Sequence, residues 1–220
     1  MSDAARLLVI DTATAACSVA LFEGETLLAR RHDVVGRGHA ERLLPMIADL
    51  PGGGRAQHIL VDVGPGSFTG IRVGIAAARA LALGWGAEAH GYSALALIAA
   101  AALAEDDAAE VAPELAVVTE GGHGEVFMQA FAAPFRALGE VQSLRPDAAL
   151  AALGKRRLLG SGTRWLADID PDVPVSEAWP DAANALLLPA EYRTLPPAPL
   201  YGRAPDAKVP TSRAAPKVAR

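Results

Sequence analysis

HILVDVGPGSFTGIR, from His58 to Arg72, joins a buried strand to a helix through a tight turn. His58 to Val63 is apolar except for Asp62, the composition of a central strand covered on both faces. Gly64 to Gly70 then punctuates the chain with three glycines and a proline. A helix follows from about Thr69, its expected cap, to Trp85, with Arg72 one turn inside. In such a turn backbone N–H groups and the helix dipole favour an anion; the same residues also serve as turn architecture alone. No Gly-Lys-Ser/Thr closes the loop, so it is not a phosphate-binding P-loop, and it lacks the dinucleotide fingerprint.

Upstream, Leu7–Asp11, Cys17–Phe22 and Thr26–Arg31 read as strands, the last two joined at Glu23-Gly24-Glu25. Three strands with tight turns form an antiparallel meander. A helix is expected over His39–Leu50, kinked at Pro45 and stopped by Pro51 and Gly52–Gly54. Ser93 is placed to cap a third helix reaching Leu103. The acidic stretch Glu105–Glu114, which carries Pro113, marks a lobe boundary. Beyond it, Leu115–Thr119, Glu125–Phe131 and Arg157–Leu159 read as strands. Helices are expected from Asp147 to Leu153 and from Asp181 to Leu188. From Leu195 onward repeated prolines exclude regular structure. The order β-β-β-α-β-α-α, followed by a reduced β and α set, resembles the actin, sugar-kinase and heat-shock ATPase superfamily. The expected fold class is therefore α/β, actin-like (ribonuclease H-like), with two lobes: residues 1–105, a smaller lobe over 106–195, and a Pro-rich tail over 196–220.

Apolar residues make up 51% of the 220 and charged residues 20%, enough for a packed core. A net charge of −5 makes the chain a poor unaided binder of nucleic acid, whose affinity comes from Lys and Arg on phosphates. One cysteine, Cys17, excludes an internal disulfide. The absence of a signal-peptide pattern and of a membrane-length apolar run gives cytoplasm as the expected location.

Asp11, Thr12 and Thr14 occupy the tip between the first two strands. ATPases of the superfamily place an acid and small polar residues there against phosphate and metal, but Ala13 stands where they usually have glycine. Together with Gly64, Gly66 and Ser67, these are the candidate nucleotide- or anion-binding residues; the alternative for the tip is a plain hairpin. Catalytic residues are expected to be none. The five histidines never fall at i and i+4, so a helical metal pair is excluded and no metal is expected. Ser67 and Ser161 lack a Gly-x-Ser-x-Gly setting. Gly160-Ser161-Gly162 falls where kinases of the superfamily place an adenine-binding turn, but with a short lobe around it reads as an ordinary strand-to-helix turn. Gly70, Gly74, Ala78 and Ala82 recur at four-residue spacing, and such a small-residue stripe lets another helix approach closely. The alternative is packing on the chain's own sheet.

Ile10 to Thr14 with Cys17-Ser18-Val19-Ala20, His39 to Pro45, and Gly64 to Arg72 resemble the bacterial TsaB family, also called YeaZ. The likeness is specific over roughly residues 7–100. It weakens later, at Gly124–Phe127 and at Pro199–Arg203 with Asp206-Ala207-Lys208. It implies a non-catalytic subunit of the tRNA threonylcarbamoyladenosine machinery, paired with its paralogue TsaD through the first two helices. It further implies TsaE as a partner, a homodimer when alone, tRNA contacted only through the complex, and no membrane. ATP or ADP and metal are expected on partner subunits, with no cofactor on this chain. The implied interface comprises His39, Glu41, Leu43, Leu44 and Ile47 on the first helix. On the second it comprises Gly70, Arg72, Val73, Gly74, Ala77 and Ala78. Where relatives show Asp-Ala-Arg, this chain has Glu120-Gly121-Gly122. The other reading of the residues is a small ATP-dependent phosphotransferase or ATPase using Asp11 and the Gly64–Gly70 loop. A glycoprotease reading predicts a metal that these histidines cannot hold.

Overall fold

A computed structural model describes residues 4–105 and 114–200. The first three strands, β1 (Arg6–Asp11), β2 (Ala16–Glu23) and β3 (Thr26–Val34), form the antiparallel meander. Helix α1 (His39–Ala48) runs through Pro45 and gives way to a 3₁₀ turn over Pro51–Gly54. Strand β4 (His58–Asp62), helix α2 (Phe68–Trp85) and strand β5 (Glu88–Tyr92) form a parallel crossover unit. The resulting sheet has the order β3-β2-β1-β4-β5. Helix α3 (Ala94–Glu105) closes this half.

The second half repeats the plan in shorter pieces. It comprises β6 (Glu114–Glu120), β7 (Val126–Ala132), β8 (Arg136–Ala137), β9 (Gln142–Leu144), α4 (Pro146–Leu153), β10 (Arg157–Leu159), α5 (Arg164–Ala167) and β11 (Val175–Ser176). Its sheet has the order β11-β10-β6-β7-β8, with β9 also on β7. Strands β6 and β7 are antiparallel, while β6, β10 and β11 are parallel. An antiparallel meander continued by parallel crossover strands, present twice, is the actin-like α/β fold. The reduction is concrete: α2 has 18 residues, whereas α5, at the corresponding place between β10 and β11, has 4.

Burial explains why the elements stack as they do. On β1, Leu8 and Ile10 face α1 and α2, while Val9 points to the opposite side. There Val9, Ala20, Phe22 and Leu60 pack with α3, and the same cluster continues into Leu115, Val117, Phe131 and Leu159 of the second sheet. Nine residues of α3 are buried, from Ala94 through Ala100 with Ala102 and Leu103. A helix apolar on every side has to be covered on every side; α3 meets that demand by lying between the two sheets. The outer face of the second sheet is covered by α4 and α5 through Leu153 and Leu166.

Several local expectations are corrected. Ser67, not Thr69, caps α2, its side chain accepting from Gly70 N at 3.2 Å. Ser93 precedes α3, but the first N–H of that helix, on Ala94, goes to Asp62 Oδ1 at 2.9 Å. Arg145 takes the N-cap position of α4, and Asp147 lies inside the first turn. Residues 182–187 form a 3₁₀ turn rather than an α-helix, capped by Asp181 through Ala183 N at 2.9 Å. Leu195 makes a bridge to Gly91 on the β5 edge, and Leu200 N donates to Val63 O at 2.7 Å. Pro196 to Leu200, assigned to the tail, are thus anchored. The boundary stretch 106–113 and the tail over 201–220 lie outside the described residues.

Asp181 also ties the two halves, accepting from Arg30 at 2.6 Å, while the Ala182 N–H donates to Ser18 Oγ at 2.9 Å. The Arg30 side chain is 59% exposed, so the ion pair contributes at most about 1 kcal/mol. Arg30→Ala should therefore cost less than about 1 kcal/mol in urea titrations. Asp181→Ala, which also removes the cap, should cost about 1–2 kcal/mol.

Candidate functional site

The tip after β1 and the turn after β4 are zipped together. Ser67 N donates to Ala13 O at 2.6 Å, and Thr12 Oγ1 donates to Gly70 O at 2.8 Å. Contact is so close that a Cβ on Gly66 would fall inside 3.0 Å of Ala13 O. One on Gly70 would strike Thr12 O, and one on Gly74 would strike Thr12 Oγ1. At Gly66 and Gly70 glycine is required because backbone meets backbone. The small-residue stripe therefore serves its own sheet. Gly70, Gly74 and Ala78 are buried against β1 and β4, the packing given above as the alternative to a partner helix.

Beneath this zipper lies a buried polar cluster at the carboxyl ends of β1, β4 and β5. Asp11 is fully buried; its Oδ2 accepts from the Tyr92 hydroxyl at 2.8 Å and its Oδ1 from Ala13 N at 3.4 Å. Asp62 is 1% exposed, and its Oδ1 accepts from both Gly64 N and Ala94 N at 2.9 Å. Its Oδ2 has no partner. Burial pushes Asp11 up to about 7, opposed by the hydrogen bonds from Tyr92 and Ala13. Burial, and next the nearby Asp11 charge, hold Asp62 well above the usual carboxylate range. Asp62 thus works as a staple between the turn and α3.

Above the zipper, a cleft of about 1010 Å³ opens between the halves. One wall carries Ala13, Thr14, Gly66, Ser67, Arg37 and Arg72; the other carries Glu120, His123, Glu125, Ser143, Ser161 and Trp179. Of the candidate anion-binding residues, Thr14, Gly66 and Ser67 line this cleft. Asp11, Thr12 and Gly64 are buried and absent from its lining, so the structure does not bring the expected set together. Trp179, His123 and Ser143 went unforeseen, because nothing in their local sequence marks a wall assembled from three separate segments. Among the described residues, no group of three or more His, Cys, Asp or Glu is arranged to hold a metal ion. No helix of the described residues is long and apolar enough to cross a membrane.

Helices α1 and α2 lie side by side on the outer face of the first sheet. Of the expected interface residues, Leu43, Ile47 and His39 are buried, His39 Nε2 lying 3.2 Å from Ala16 O. Glu41, Leu44 and Arg72 are exposed, and Val73 and Ala77 are half-buried. The outward face is completed by residues outside the expected set: Phe68, Ala76, Arg79, Ala80 and Leu83, with Leu83 87% exposed. The Arg72 guanidinium stacks 3.6 Å from the centre of the Phe68 ring.

Fold and site together define an actin-like chain whose β1 tip is packed against its own α2 terminus. The family model described as TsaD: tRNA N6-adenosine threonylcarbamoyltransferase matches residues 33–159. The tRNA threonylcarbamoyladenosine biosynthesis protein TsaB of Escherichia coli K12 is 42% identical over 114 residues, which cover 48% of each chain. The match thus spans about half the length of that relative. An uncharacterized protein of Mycobacterium tuberculosis H37Rv is 30% identical over 219 residues, 92% of this chain and 93% of that one. The solved structure of YeaZ from Pseudomonas aeruginosa superimposes with a TM-score of 0.73 and 26% identity, covering 90% of this chain and 99% of that one. The chain belongs to the TsaB (YeaZ) family.

Proposed function

We propose that this chain is the non-catalytic subunit of a tRNA threonylcarbamoyladenosine-forming complex and pairs with a TsaD paralogue through α1 and α2. The observation that carries the reading is the outward face of these helices. Leu44, Ala76, Ala80 and Leu83 leave an apolar strip on an otherwise charged surface, with Glu41, Arg72 and Arg79 at its edges. An exposed apolar strip with a polar rim is the usual form of a protein-binding surface. The names of the relatives, TsaB in Escherichia coli and threonylcarbamoyltransferase for the family model, support the pathway. Nucleotide turnover on this chain, the other reading, would require Asp11 to reach a phosphate and its metal. That carboxyl is fully buried and bonded to Tyr92. ATP or ADP, metal and TsaE then belong to the partner side of the assembly, and tRNA is reached through the complex.

The test is to mix the chain with TsaD and TsaE, and to measure both heterodimer affinity and threonylcarbamoyladenosine on tRNA. Ala80→Arg combined with Leu83→Glu should leave the melting temperature unchanged. It should weaken the heterodimer at least roughly 30-fold, the scale of losing a hot spot of about 2 kcal/mol. An unchanged dissociation constant for this folded variant would sink the assignment.

A further inference from the structure

We propose that the open edge of the second sheet, at β11, is a docking site for an extended basic segment of another protein. The two sheets end differently on this side. In the first, the chain itself covers the outward backbone of β5. Gly91 N donates to Leu195 O at 2.6 Å, and Leu195 N donates to Gly91 O at 3.1 Å. The corresponding strand of the second sheet is β11, which stands last in the order and pairs with β10. Ser176 O accepts from Gly160 N at 3.0 Å, so Ser176 faces β10. Successive residues of a strand turn their N–H and C=O groups to opposite sides. Val175 and Glu177 therefore present theirs outward, and among the described residues no strand pairs with that side. Such an edge is a template for a further strand.

The surroundings of the edge define what fits it. Trp165 on α5 and Ile169 just beyond it lie one helical turn apart and are 39% and 50% exposed. Val175, 42% exposed, pairs with Leu158 and so shares its face of the sheet, the face that α5 covers through Leu166. Large apolar side chains are thus left in water beside an unpaired backbone. From Trp165 to Glu177 the acids are Asp168, Asp170, Asp172 and Glu177, and the stretch holds no Lys or Arg. Among the described residues none of these carboxylates is in an ion pair. A second copy of the chain would bring the same acids and be repelled, and so would nucleic acid or an anionic lipid surface. A segment with Lys or Arg flanking apolar residues satisfies every group at once. Strand β11 is only 2 residues long, so backbone bonds are few and the apolar anchors and charges carry the affinity.

The probe is a short labelled peptide of alternating lysine and valine, titrated into the full chain. It should bind at least about tenfold more tightly than matched peptides with serine for valine or glutamate for lysine. On binding, the Val175 and Glu177 amides should exchange at least about fivefold more slowly, while exchange in α1 and α2 stays as it was. Ile169→Ser with Val175→Thr should weaken binding at least about tenfold. Asp168→Asn with Asp172→Asn and Glu177→Gln should remove its salt dependence. Equal affinity for the three peptides, binding that neither variant alters, or protection confined to other elements overturns the proposal. So does slow exchange of Val175 and Glu177 before any peptide is added, since the edge would then be covered already.

Discussion

Gly70→Ala should destabilise the protein by about 3 kcal/mol or more, lowering the melting temperature by on the order of 10 °C. One added methyl has this effect because it meets the carbonyl oxygen of Thr12, a backbone atom with no rotamer through which to escape. Relief requires prising the β1 tip from the α2 terminus, breaking the Thr12–Gly70 and Ser67–Ala13 hydrogen bonds. Gly84→Ala is the matched control, in the same helix with nothing within 4 Å of its Cβ position. It should stabilise by up to about 1 kcal/mol through helix propensity and unfolded-state entropy. Paired thermal melts decide the matter. If the two variants melt alike, the contact between tip and turn is not what the glycine protects.

The second large effect is on pH dependence. Asp11 and Asp62 are raised in the folded chain, and an acid so raised contributes stability that is complete below its unfolded value near 3.8. That contribution is lost as pH rises through the folded value, about 7 for Asp11. For Asp11 the difference corresponds to on the order of 4 kcal/mol between pH 4 and pH 8. Asp62→Asn should leave the Asp11 share of this pH dependence and remove that of Asp62. Its Oδ1 keeps the bonds from Gly64 and Ala94, while a neutral amide replaces the unpartnered oxygen. The variant should melt several degrees higher than the parent at pH 8 and equally at pH 4. A pH profile parallel to that of the parent would show that Asp62 is ionised at no cost.

The first half was the more legible because its strands are longer and β1, β2 and β4 are apolar runs. Strand β5 escaped notice: Glu88-Ala-His-Gly-Tyr92 alternates weakly, and it is an edge strand whose Glu88 and His90 face solvent. Periodicity revealed the small stripe on α2 but not the direction it faces. Four-residue spacing is the same for a glycine row packed on its own sheet as for one offered to a partner. The outward row, Phe68, Ala76, Ala80 and Leu83, is spaced by eight, four and three residues and attracts less attention because alanines are common in this chain. In the second half, two- to four-residue elements such as β8, α5 and β11 are too short for a period to appear. The cleft is harder still to read, since Trp179, Ser143 and His123 meet only through tertiary packing.

The position of α3 between the sheets has a mechanical consequence. In a hinged clamp, each jaw keeps its own core, so the jaws can swing without exposing oil to water. Here one apolar helix is common property of both jaws, and swinging them apart would strip Leu95, Leu97 and Ile98 of a neighbour. Helix α3 thereby acts as a brace between the two sheets.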